Sequence, residues 1–199
     1  MDSAKYYQFV RKIVVAGRER TLKIDLLARV PESAEEKKGA RADSRRVRGR
    51  GFGLLHAHAT PEALTVEEGL VPLRIESAEE DATVYLPHPF SYLLLKLFAL
   101  RDQLENAGRD YGRHHAADVF STVAMLTADD WRGTISMRER WTGAAVVAEA
   151  RRIANVLFEG RAAPGVQRLV DHYAVLGQRV PLDEVDAFCG DLATIFGWS

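Results

Sequence analysis

The chain has 199 residues, 47% of them hydrophobic, and a net charge of −1 at pH 7. That suffices for one sizeable core or two small ones sharing an interface, and it supplies no global field to draw in nucleic acid or membrane. The single cysteine, Cys189, excludes an internal disulfide and any CxxC metal site.

The first residues, MDSAKYYQFVRK, are polar and aromatic and do not form a signal peptide. No run nears the roughly 18 apolar residues of a membrane span. A reducing, cytoplasmic setting without membrane contact is expected. Residues 6–15 and 21–30 are rich in β-branched and aromatic side chains and predict two strands of a hairpin, joined by a turn over 16–19. In the second strand, Leu22, Ile24, Leu26 and Ala28 share one face. Asp25 faces the other way, either as a solvated strand residue or as the acid of a site.

Pro31 ends that strand, and residues 32–39 (ESAEEKKG) form a charged loop. Residues 41–50 (RADSRRVRGR) hold five arginines. RNA is a conceivable partner for them, but no aromatic residue is interleaved for base stacking, and a solvated loop is the plainer reading. His56 and His58 alternate on a short strand, a spacing that serves a metal only with a third ligand. Thr60 and Pro61 open a short helix that ends before Gly69. Two short strands follow, 70–75 and 83–86, around the acidic turn 79–81.

From Pro89 the pattern becomes helical. Tyr92, Leu93, Leu97, Leu100 and Leu104 recur at helical spacing, and Lys96 interrupts their apolar segment. Its stem either snorkels to water or aims the ammonium at a phosphate or carboxylate. Residues 106–111 break the helix, residues 112–115 lead on, and a second helix is expected from about Asp118, an acid suited to a helix N-terminus. Thr127 and Asp130 predict a capping box. Helices are expected over 129–140, 143–158, 165–176 and 182–196, punctuated by Gly160, Pro164, Gly177 and Pro181. Short links favour antiparallel packing, so this part reads as a helical bundle.

Three stretches together resemble the nucleotidyltransferase-like proteins of the AbiEii type, several of which are toxins of toxin–antitoxin pairs. Leu22-Lys23-Ile24-Asp25-Leu26-Leu27 is similar to the family's later carboxylate strand. Leu95-Lys96-Leu97-Phe98-Ala99-Leu100-Arg101 is similar to its Lys-x-x-Ala helix, and Ala117-Asp118-Val119-Phe120 to the start of the next helix. The resemblance implies nucleotidyl transfer with Mg²⁺ bridging the NTP phosphates. It implies Asp25 as a metal-site or catalytic carboxylate, Lys96 and Arg101 as nucleotide-binding residues, and Asp118 as the catalytic-site acid that orients Lys96 or another basic group.

The sequence also departs from that family. Its Gly-Gly or Gly-Ser turn and Asp-x-Asp strand are missing ahead of Asp25, Gln103 stands where a basic residue is usual, and His115 stands where a carboxylate is usual. A lone Asp25 cannot build a two-Mg²⁺ site. The expectation is an N-terminally incomplete, catalytically silent chain that keeps some NTP binding. The alternative is an interaction module without nucleotide chemistry, with Trp131, Trp141 and Trp198 as candidate anchors. A metal enzyme built on His56, His58, His114 and His115, or a Cys189 nucleophile, is a third and weaker reading. The expected fold is α+β: a small, mostly antiparallel sheet within a region 1–87, then a helical domain 88–199. An open sheet edge would favour a homodimer or a covering partner.

Overall fold

Strand β1 (Gln8–Val15) turns back on β2 (Arg18–Asp25) through only two residues. Ala16 and Gly17 both take positive φ, 50° and 75°, and that backbone matches the right-handed twist of a hairpin. Arg18 and Glu19, expected in the turn, therefore join the strand, and the register runs from Val15 opposite Arg18 to Gln8 opposite Asp25. The computed structural model describes residues 8–25, 27–30, 58–76 and 81–198. The Arg41–Arg50 run, the loop 32–39 and His56 lie outside the described residues, as do the side chains of Asp25 and His58.

The end of the second predicted strand changes partner. Leu27–Ala28 (β3) pairs in parallel with His58–Ala59 (β4), and the Thr60 amide donates to the Ala28 carbonyl at 3.0 Å. A hairpin, β5 (Val71–Ile75) with β6 (Ala82–Leu86), completes the strands. Among the described residues the strands thus form three separate pairs, two antiparallel and one parallel.

The α+β class holds, with the helices gathered in the C-terminal part. The chain forms two compact units, Met1–Leu64 and Thr65–Ser199, and the β5–β6 hairpin belongs to the second with the helices. No helix among the described residues is long and apolar enough to cross a membrane.

Helix α1 (Pro89–Gln103) is the core of the second unit. His88 caps it: Nδ1 accepts from the Phe90 amide at 3.2 Å, and Pro89 takes the first helical position, where a missing N–H is harmless. Phe90, Leu93, Leu94, Leu97 and Leu100 are fully buried. Ser91 is buried as well, and its hydroxyl donates to the Thr65 carbonyl at 2.8 Å. Around α1 pack α2 (Arg113–Ala124), α3 (Ala128–Arg140) and α4 (Ala145–Phe158). Helices α5 (Pro164–Val175) and α6 (Leu182–Phe196) close the bundle against α2 and α4.

The capping box expected at Thr127 forms: its hydroxyl accepts from the Asp130 amide at 3.2 Å, and its own amide donates to Asp130 at 3.1 Å. Trp131, Trp141 and Trp198 are all half-buried.

Helix α2 starts at Arg113, five residues earlier than the sequence pattern suggests. The cause lies in the residues just before it. A short 3-10 segment, Ala107–Gly112, ends with Asp110, Tyr111 and Gly112 all in the left-handed region, at φ 58°, 52° and 71°. For the two non-glycine residues this conformation costs about 1 kcal/mol or more each. Arg113 pairs with Asp110, and the Arg168 guanidinium lies 4.8 Å from the centre of the Tyr111 ring. These contacts hold the turn, and the helix then begins directly at Arg113.

Candidate functional site

Lys96 sits on α1 beside fully buried Leu97, yet its side chain remains 21% exposed. Its Nζ lies 2.6 Å from Asp118 Oδ2 on α2 and 4.9 Å from the centre of the Tyr92 ring, one turn earlier. Neither of the two sequence readings of Lys96 holds alone. The stem is packed, and the ammonium is aimed at a carboxylate. Burial works against the charge, but the hydrogen bond and charge of Asp118 outweigh it, and the Lys96 pKa is raised. Lys96 is therefore firmly cationic at neutral pH. An ammonium carries three donors; Asp118 and the Tyr92 side chain each engage one, which leaves one N–H for a further acceptor.

The His pair borders this ion pair. His115 Nδ1 is 3.9 Å from Asp118 Oδ2, too long for a hydrogen bond. Burial, then the charges of His114 and Lys96, lower the His115 pKa to about 4. At neutral pH it is thus an uncharged neighbour of Asp118 and no ion-pair partner. Both of its ring nitrogens are buried without a hydrogen-bond partner. The more exposed His114 ring lies 3.9 Å from the His115 ring, tilted by 47°, and its pKa too is lowered, chiefly by burial.

Arg101 is placed elsewhere. Five residues on from Lys96, it points roughly 140° around the helix. It bonds Asp102 at 2.8 Å and Glu149 at 3.2 Å and covers the Phe98 ring at 4.7 Å. Its charge is already matched by two carboxylates on that other face. Asp25 ends β2 opposite Gln8, in the first unit.

The residues around Lys96 do not fit Mg²⁺. Asp118 is neutralised by an ammonium, and its nearest imidazole offers nitrogen where a hard cation takes several oxygens. No group of three or more His, Cys, Asp and Glu side chains among the described residues is placed to hold a metal. Cys189 is half-buried, and burial raises its thiol pKa, which disfavours the thiolate needed of a nucleophile.

Sequence reasoning placed Tyr92 in the apolar stripe and not beside the Lys96 ammonium, and it overlooked the pairing of Tyr111 with Arg168. Tyr92 carried a usable signal, since it precedes Lys96 by one helical turn. The Tyr111–Arg168 contact joins the segment before α2 to α5, and no local pattern announces it.

Comparison with known proteins finds no matching family model, no matching curated protein and no matching solved structure.

Proposed function

We propose that this chain is a nucleotidyltransferase-like protein that binds a nucleoside triphosphate through Lys96 without transferring the nucleotide by itself. The observation that carries this reading is the Lys96–Asp118 pair: a cation set into an apolar helix, held at 2.6 Å by a carboxylate and still partly exposed. Asp118 orients the ammonium and keeps it protonated. The remaining N–H of Lys96 would meet a phosphate oxygen, with exposed His114 as a neighbouring donor. That the residues around Lys96 do not suit Mg²⁺ supports a silent transferase.

Calorimetry with each of the four NTPs, with and without Mg²⁺, tests this reading. Binding to the wild-type chain that is lost in Lys96→Ala supports it. No binding to any NTP, or robust transfer from a labelled NTP, overturns it.

One further observation favours a second reading, an interaction or dimerisation module. The β5–β6 hairpin has Val71, Leu73 and Ile75 on the same face as Leu86 and Val84, and all five are 38–53% exposed. Exposed apolar faces of this kind mark contact surfaces. Sedimentation at micromolar concentration tests it: a self-associating species that turns monomeric in Leu73→Lys supports it, and a strictly monomeric wild type speaks against a dimer.

A further inference from the structure

Three helix ends meet away from Lys96. The last turn of α3 brings Arg138, with Thr142 just beyond it; the first turns of α4 bring Ala148 and Arg151; the end of α6 brings Phe196 and Gly197. Between them lies a cleft of about 310 Å³, the lower end of the size range of small-molecule sites. No acidic side chain is among the residues lining it.

The two arginines are underused. Arg138 is 22% exposed, and one of its terminal nitrogens donates at 3.1 Å to the largely solvated Glu139. Its Nε is buried and has no hydrogen-bond partner. A buried guanidinium N–H left unpaired is costly unless something fills the place. Arg151 is exposed on the cleft wall and forms no ion pair with any described residue. Gly197, at φ 71°, ends α6 and lets the Arg138 guanidinium pass close by; a Cβ there would strike its Nη1.

We propose that this cleft binds a small phosphate monoester, its phosphoryl group between Arg138 and Arg151 and its organic body against Ala148. Two guanidiniums match a dianion with several oxygens better than they match one carboxylate, because each planar fork takes its own pair of oxygens. The Thr142 hydroxyl supplies one more donor. None of the lining residues belongs to the Lys96 site, so success or failure here is independent of the nucleotide reading.

The test is an amide-resolved NMR titration of the full chain with phenyl phosphate, inorganic phosphate and benzoate. Saturable shifts at Thr142, Ala148 and Gly197 are expected with phenyl phosphate, with weaker effects from inorganic phosphate and the weakest from benzoate. Arg151→Gln changes an exposed side chain and leaves the fold in place; it should weaken phenyl phosphate binding at least about tenfold. Arg151→Lys, which keeps the charge and loses the fork, should fall between. Shifts confined to other residues, equal binding of benzoate, or undiminished affinity in Arg151→Gln would each overturn the assignment.

Discussion

Lys96 Nζ on α1 and Asp118 Oδ2 on α2 lie 2.6 Å apart, with the two side chains 21% and 35% exposed. The pair sits between a solvated surface bridge, worth little, and a buried one, where losing a single partner leaves an uncompensated charge. Lys96→Met should therefore destabilise the chain by roughly 1–2 kcal/mol. The double variant Lys96→Met/Asp118→Leu should lose less than the sum of its parts. Because the folded-state pKa of Lys96 is raised, the contribution is full below the unfolded lysine pKa and is lost as pH rises through the folded one. Urea unfolding at pH 7 and in the alkaline range, on Lys96→Met, Asp118→Leu, the double variant and wild type, measures both effects.

Acid should unfold the chain through His115. The folded state keeps this ring neutral down to about 4, whereas the ordinary value is 6.5. Between those values the unfolded state binds the extra proton, so stability falls as pH drops, by up to about 3 kcal/mol once pH is below both. His88 and His114 are shifted the same way. Thermal melts at pH 7, 5.5 and 4 should show a smaller acid loss in His115→Leu than in wild type. Equal losses would mean that His115 does not carry the effect.

Two glycines should respond oppositely to alanine. Gly112 has φ 71°, and a Cβ there would sit 3.0 Å from Leu100 Cδ1 and 3.3 Å from the Leu100 carbonyl oxygen. Gly112→Ala should cost about 2 kcal/mol and disturb the start of α2. Gly190 lies within α6 with open space around it, and Gly190→Ala should stabilise by roughly 0.5–1 kcal/mol. Denaturation midpoints of the two variants, measured side by side, check the opposed signs.

The capping box at the start of α3 gives a cleaner local test. Thr127→Ala removes the acceptor for the Asp130 amide and should cost about 1 kcal/mol. Thr127→Ser keeps the acceptor and should stay near wild type. Chemical denaturation of both variants reads the difference.

Much of the helical part was legible because its signals are local. Pro89 at the first position of α1, the Thr127–Asp130 box, and the Gly and Pro residues between helices act within a few residues of themselves. The strands were found, and the β1–β2 hairpin with them, but the parallel pair was not. Nothing in Leu27-Ala28 says that it leaves the hairpin to pair with His58-Ala59. The start of α2 was misplaced for a different reason: Asp110 and Tyr111 hold left-handed backbone that their types do not favour, and contacts from Arg113, Arg168 and the Asn106 carbonyl help to keep them there.

By itself the sequence determined the α+β class, the order of the helices and the presence of one cation inside the apolar pattern of α1, since periodicity and capping are properties of neighbouring residues. The tertiary structure alone decided what that cation meets. Lys96 finds Asp118 because the strained turn at Asp110–Gly112 sets α2 against α1. It also decided that Arg101 spends its charge on Asp102 and Glu149, and that Arg138 and Arg151 share a cleft. Contacts between helices depend on how whole faces pack, and no spacing along a single element encodes that.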